Sequence, residues 1–195
     1  LGASIEIEVA DLELANASAP KVIYLEGYLF DAPKGPDIFT EAARLAHLHG
    51  SKLALSLSDP WCAERHRAAL LNFIEEHVSM LFGNEEEVAR LYQREPDDAI
   101  TILKCKVDEV IVTRGANGAF VGDELVSHEI PATPQGAVID TTGAGDLFAA
   151  GYLFGRTNGF DMLQAGRIAS VAAGEVISHI GARPQIDLKA LAADL

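Results

Sequence analysis

Residues 140–146 read Asp-Thr-Thr-Gly-Ala-Gly-Asp and run directly into Leu147-Phe148-Ala149-Ala150-Gly151-Tyr152-Leu153-Phe154. In the second stretch Leu147, Ala150, Gly151 and Phe154 recur at helical spacing, so the two glycines of the first bracket a helix start. Backbone N–H groups in a first helical turn have no intrahelical partner, and the helix dipole adds partial positive charge there. Such a turn suits a phosphate or a developing anion. Asp146 would repel that anion unless its task needs a carboxylate nearby, and taking a proton from an attacking hydroxyl is such a task. The segment is not a P-loop, because it lacks the Lys. It is not a dinucleotide fingerprint either, because Asp146 and Leu147 stand where that pattern leads to its third Gly.

Upstream, apolar β-branched runs alternate with amphipathic ones. Strands are expected over 21–26, 52–58, 78–82 and 109–113, and helices over 37–49 (closed by Gly50), 64–76, 85–93 (opened by Asn84) and 101–106. A hairpin is expected over 118–122 and 124–130, with its turn at Gly122-Asp123. After residue 146 the pattern is helical, with Ile168, Ala172 and Val176 on one face of a second Ala- and Gly-rich helix. Strands separated by helices predict an α/β fold with a mainly parallel sheet covered on both faces. At the start, Ile5, Ile7 and Val9 alternate with Glu6 and Glu8 and predict a further strand. A chain that opens at Leu1 in such a strand reads as part of a longer protein.

The bulk numbers narrow the function classes. At 195 residues and 49% hydrophobic composition the chain supports one core, so residues 1–195 are expected to form a single domain. Fifteen Lys and Arg against 29 Asp and Glu give a net charge of -14, which argues against a protein that coats nucleic-acid phosphates. Cys62 and Cys105 resemble no disulfide framework, and no apolar run approaches membrane-spanning length, so a cytoplasmic, membrane-free chain is expected. Cys62 and His66, four apart on a helix, are two ligands and not a metal site. Ser56 and Ser58 lack a nucleophile elbow, Arg114 reads as a loop arginine, and Trp61 reads as packing.

The motif Asp140–Asp146, followed by Leu147, Phe148 and Gly151, resembles the C-terminal signature of the ribokinase-like (pfkB) carbohydrate kinase family. Three further segments match in family order. Gly83-Asn84-Glu85-Glu86-Glu87 resembles the Asn-x-x-Glu motif, which implies that Asn84 and Glu87 organise Mg2+ through its waters. Thr113-Arg114-Gly115-Ala116-Asn117-Gly118 resembles the Thr-x-Gly-x-x-Gly turn, which implies nucleotide contacts from Thr113, Gly115 and Gly118. Ser178-His179-Ile180-Gly181-Ala182-Arg183-Pro184 resembles the closing loop that borders the adenine, which brings in His179. In potassium-activated members that loop and the Asp-Thr-Thr segment supply carbonyls to a monovalent cation. By position these are Asp140, Thr142, Val176, His179 and Gly181.

The resemblance thus implies a three-layer, Rossmann-like ribokinase fold without its N-terminal segment and most of its lid, through which members often dimerise. It implies ATP and Mg2+, with K+ in some members, and transfer of the γ-phosphoryl group to a primary hydroxyl of a sugar or nucleoside. Asp146 would be the base, and the backbone of Gly143, Ala144 and Gly145 the anion hole. Leu25–Phe30 and Leu57–Pro60 are similar to bacterial adenosine kinase-like and sugar kinase members. Two alternatives stay open: a kinase of hydroxymethylpyrimidine- or thiazole-type vitamin precursors, and a nucleotide-binding module without catalysis.

Overall fold

The computed structural model describes residues 2–192. Six strands form one sheet in the order β1-β2-β3-β4-β5-β6: Val22–Glu26, Lys52–Ser56, Met80–Asn84, Glu109–Thr113, Ala119–Gly122 and Ser127–Ile130. The helices are α1 (Glu13–Ser18), α2 (Gly35–His49), α3 (Pro60–Arg65), α4 (Arg67–His77), α5 (Glu85–Tyr92), α6 (Pro96–Leu103), α7 (Ala144–Thr157), α8 (Met162–Val176) and α9 (Leu188–Leu191). Strands flanked by helices make the three-layer α/β architecture that the sequence predicts. The chain divides within β4 into two compact units, residues 1–110 and 111–195.

In the first unit β1, β2 and β3 run parallel, with Val22 opposite Lys52, Glu26 opposite Ser56 and Ser56 opposite Phe82. Their central residues Ile23, Leu25, Leu53, Ala54, Leu55, Met80 and Leu81 are buried, as strands covered on both faces require. The register brings the carboxyl ends of the three strands to one edge, so Glu26, Ser58 and Asn84 cluster there. Ligands of open α/β sheets bind outside those ends.

In the second unit β5 and β6 form the expected antiparallel hairpin, Ala119 opposite Ile130 and Gly122 opposite Ser127. Its turn is centred on residues 124 and 125, two residues later than predicted. The Asp123 carboxylate accepts the N–H groups of Leu125 and Val126, and the Asp123 N–H closes on the Val126 carbonyl. Helices α7 and α8 pack closely because small residues face each other. A Cβ on Gly151 would stand 2.8 Å from the Ala169 Cα, and one on Gly155 2.8 Å from the Ala165 Cα. Residues 131–139 then cross α8 on the way to residue 140. A Cβ on Gly174 would lie 2.0 Å from the Thr133 carbonyl oxygen, and Ser170 donates to the Pro131 carbonyl at 2.7 Å.

Several sequence expectations shift. Residues 5–9 form no strand: Gly2–Glu6 and Val9–Leu12 are 3-10 turns, with Ile5 and Val9 exposed, so the alternation has no apolar face to cover. The helix expected over 64–76 is two helices broken at His66, and α6 begins at Pro96, whose ring suits a first helical turn. On α7 the buried positions are Phe148, Ala149, Gly151, Tyr152 and Gly155, whereas Ala150 and Phe154 are exposed. Strand β4 and the buried face of α8 at Ile168, Ala172 and Val176 fall where the pattern places them.

The close α7–α8 contact makes Gly155→Ala destabilising. Alanine gains roughly 1 kcal/mol of helix propensity over glycine, but the overpacked backbone costs about 1–3 kcal/mol. Urea unfolding should show a net loss of stability, and a variant as stable as the parent would contradict the packing.

Candidate active site

The second unit builds a turn, a helix end and a loop into one assembly. Gly143 caps α7 at φ +82°, a left-handed conformation that suits glycine. A side chain there would also collide with Ala182, whose Cβ would be 2.6 Å from an added Cβ. The Ala144 N–H donates to the Thr141 carbonyl at 3.2 Å and closes the turn. Among the described residues, the N–H groups of Gly143, Gly145 and Asp146 have no protein partner. Nothing lies within 4 Å of where a Cβ on Gly145 would be, so the helix start is open on the Gly145 side. Asp146 sits in that first turn with its side chain exposed.

Asp140 fastens the turn to the closing loop. One carboxylate oxygen accepts the Thr142 N–H at 2.9 Å and the other the Gly181 N–H at 3.1 Å. The Thr142 hydroxyl and amide, then the Gly181 amide and the nearby His179, hold the Asp140 carboxyl below its usual range. The N–H of Ile139 adds a 2.8 Å bond to the Ile177 carbonyl. Asp140, Thr142, Val176, His179 and Gly181 are therefore brought together on two bonded segments. The His179 ring, however, turns inward, with Nε2 3.3 Å from a carboxylate oxygen of the buried Glu175.

The Thr113–Gly118 turn leaves β4 tightly. The Arg114 N–H donates to the Gly118 carbonyl at 2.7 Å, and the Gly118 N–H to Gly115 at 3.1 Å. Gly118, at φ +88°, would drive a Cβ to 1.9 Å from the Ile130 carbonyl oxygen, so the turn depends on glycine there. The Arg114 guanidinium pairs with Glu129 on β6 at 2.9 Å and lies over Phe120.

In the first unit Asn84 and Glu87 form a reciprocal cap at the start of α5. The Glu87 carboxylate accepts the Asn84 N–H at 2.9 Å and its side-chain amide at 2.7 Å, and the Glu87 N–H returns to Asn84 Oδ1 at 2.9 Å. Glu87 lies over Gly83, where a Cβ would be 3.2 Å from its Oε2. Burial, and then the carboxylates of Asp59, Glu26 and Glu86, push Glu87 up to about 7 against the pull of Asn84. This oxygen-only, carboxylate-rich donor set fits a hard divalent cation held largely through water.

Two features here are not legible in the sequence. Ser58 has φ +69°, and the Asp59 N–H bonds the Leu57 carbonyl at 2.9 Å, which makes a strained three-residue turn. It aims the Ser58 hydroxyl at Glu26, 2.8 Å away, while Asp59 caps α3 through the Cys62 N–H. Asp31 also joins Cys62 and His66, all three ligand atoms lying within 4.8 Å of one another. The Asp31 carboxylate is already taken, by Arg65 at 3.0 and 2.7 Å and by His66 at 2.7 Å. Burial first, and then the negative charge of Asp31, push the Cys62 thiol up to about 12, away from the thiolate a metal needs. That trio is a clamp between the segment after β1 and α3.

With this geometry in hand, the pfkB family carbohydrate kinase model matches residues 3–188. The chain belongs to the pfkB family. Over 120 residues it is 36% identical to a nucleoside kinase of Methanocaldococcus jannaschii, covering 60% of this chain and 38% of that protein. Among solved structures, a probable sugar kinase from Rhizobium etli CFN 42 superposes with TM-score 0.93 at 36% identity, covering 97% of this chain and 58% of that one. The adenosine kinase from Sinorhizobium meliloti gives 0.92 at 37%, covering 97% and 59%. This pfkB chain thus spans less than two thirds of each relative's length.

The raised Glu87 pKa carries a sign. The folded state holds the proton that the unfolded chain releases near pH 4.5, so this stabilisation is present below that pH and is lost as pH rises through about 7. Carbon-13 titration of the Glu87 carboxyl should give a midpoint near 7 without Mg2+. A midpoint near the ordinary carboxylate value would contradict the buried acidic setting.

Proposed function

We propose that the chain is the nucleotide-binding and catalytic portion of a cytoplasmic, ATP-dependent kinase that phosphorylates a primary hydroxyl of a nucleoside, adenosine-like, or of a sugar. One observation carries the reading. An exposed carboxylate, Asp146, stands in the first turn of α7 beside the N–H groups of Gly143 and Gly145, which have no protein partner among the described residues, with open space beside Gly145. A base placed next to an anion-binding turn is the arrangement that in-line phosphoryl transfer requires.

In this mechanism Asp146 takes the proton of the acceptor oxygen as that oxygen attacks the γ-phosphorus, and the bond from the γ-phosphorus to the β,γ-bridging oxygen breaks to release ADP. The amides of Gly143 and Gly145 donate to the oxygens of the transferring group, where charge is greatest in the transition state. Ala144, whose N–H closes the turn onto Thr141, contributes chiefly by shaping it. Bound Mg2+ would neutralise the nucleotide phosphates. Asn84 orients Glu87, and Glu87 with its acidic neighbours would hold the ion's waters. The carbonyls of Asp140, Thr142, Val176, His179 and Gly181 suit a monovalent cation such as K+. Its charge would reinforce the turn. Thr113, Gly115 and Gly118 would meet the nucleotide from the other glycine turn.

Relatives called nucleoside, adenosine and sugar kinases support an acceptor with a sugar hydroxyl over a vitamin precursor. Homodimerisation would use the lid through which members of the family often pair.

The test is Asp146→Asn in the full-length protein, assayed with Mg·ATP against nucleosides and free sugars, with and without K+. The amide keeps the shape and removes the base, so kcat should fall about 10²- to 10⁴-fold while nucleotide affinity holds. Turnover that survives the change would overturn the assignment.

A further inference from the structure

Glu175 stands one residue before the end of α8, between Gly174 and Val176, and is 3% exposed. An apolar residue would serve helix packing at such a position with no charge to desolvate. What the carboxylate does instead is visible in its contacts. Oε1 accepts the backbone N–H of Gln185 at 3.0 Å and lies 3.3 Å from His179 Nε2. Oε2 is buried without a hydrogen-bond partner among the described residues. The Ser178 hydroxyl and N–H both donate to the Glu175 carbonyl, at 2.7 and 3.0 Å. Ser178, His179 and Gln185 are thus fastened to one residue.

Beyond the bonds of Ile139 and Asp140 to the Ile177 carbonyl, the outer part of the loop has little else to hold it. Residues 182–187 are exposed, and Ile180 is 82% exposed, so burial does not fix residues 182–186. Two carboxylates do: Asp140 at Gly181, and Glu175 at Gln185. Asp140 is the inner anchor, beside the α7 turn. Glu175 is the outer one, and without it the stretch from Ala182 to Gln185 is tied at one end only.

We propose that Glu175 is a positioning residue for the nucleotide. It holds the closing loop against the start of α7 through Gln185 and His179, and does not touch the ligand. The role rests on the kinase reading above, in which this loop borders the base of ATP. A residue acting in this way changes nucleotide affinity and leaves the phosphoryl-transfer step alone.

The experiment uses the full-length protein with Glu175→Ala and Glu175→Gln. It measures KM for ATP, KM for the acceptor, kcat, ADP affinity by calorimetry, and amide hydrogen exchange at Gln185. Hydrogen bonds to charged groups are worth enough that Glu175→Ala should raise KM for ATP and weaken ADP binding about tenfold or more. Meanwhile kcat and the acceptor KM should stay within about twofold, a spread of well under 1 kcal/mol. Glu175→Gln keeps an acceptor for Gln185 and should stay within about threefold of the parent throughout, again under 1 kcal/mol. Unchanged ATP and ADP affinity in Glu175→Ala overturns the proposal, as does a fall in kcat with KM for ATP unchanged. If Glu175→Ala does not fold, exchange in the parent decides: a Gln185 amide protected like those of α8 supports the tie, and a freely exchanging one refutes it. A parent that binds no ADP and turns over no ATP counts against the kinase reading itself.

Discussion

Asp140 spends its two carboxylate oxygens on two segments that are far apart in sequence, Thr142 at the start of the glycine turn and Gly181 in the closing loop. That single bridge sets where the first turn of α7 lies and what faces it. The Gly143 cap, at φ +82° and against Ala182, has room only because the loop is held at that distance and because residue 143 has no side chain. Open amides and the exposed Asp146 follow from the same geometry. A helix end that the fold does not cover leaves its donors for a ligand.

The packing behind the site serves this end. Small residues let α7 and α8 approach through Gly151, Gly155, Ala165 and Ala169, and Gly174 lets residues 131–139 cross α8 on the way to Asp140. In the first unit the parallel register gathers Glu26, Ser58, Asp59, Asn84 and Glu87 at the carboxyl ends of β1 to β3. The strained turn at Ser58 and the raised Glu87 pKa both occur there, where a cation would relieve the crowding of carboxylates.

Much of this was legible in the sequence. The seven residues 140–146 carry their chemistry in order, because a left-handed cap demands glycine and a helix start demands open amides. Strand β4 and the Asn84 cap were legible for the same local reason. What depends on distant partners was not. Residues 5–9 alternate like a strand, yet Ile5 and Val9 are exposed and lie in 3-10 turns. The inward turn of the His179 ring is set by Glu175, a residue that reads in sequence as an ordinary helix glutamate. The only local hint was a lone acid in the Ala- and Gly-rich run 165–176. Ser58 gave no hint at all, since its positive φ is imposed by the junction of β2 with α3.

The account turns on the amides at the start of α7. Nitrogen-15 amide spectra of the protein, recorded as Mg·ATP is added without acceptor, test it most directly. The prediction is that Gly143, Gly145 and Asp146 shift together and saturate with the binding isotherm. Saturable nucleotide binding that leaves all three amides unmoved would place the phosphates elsewhere and contradict the account.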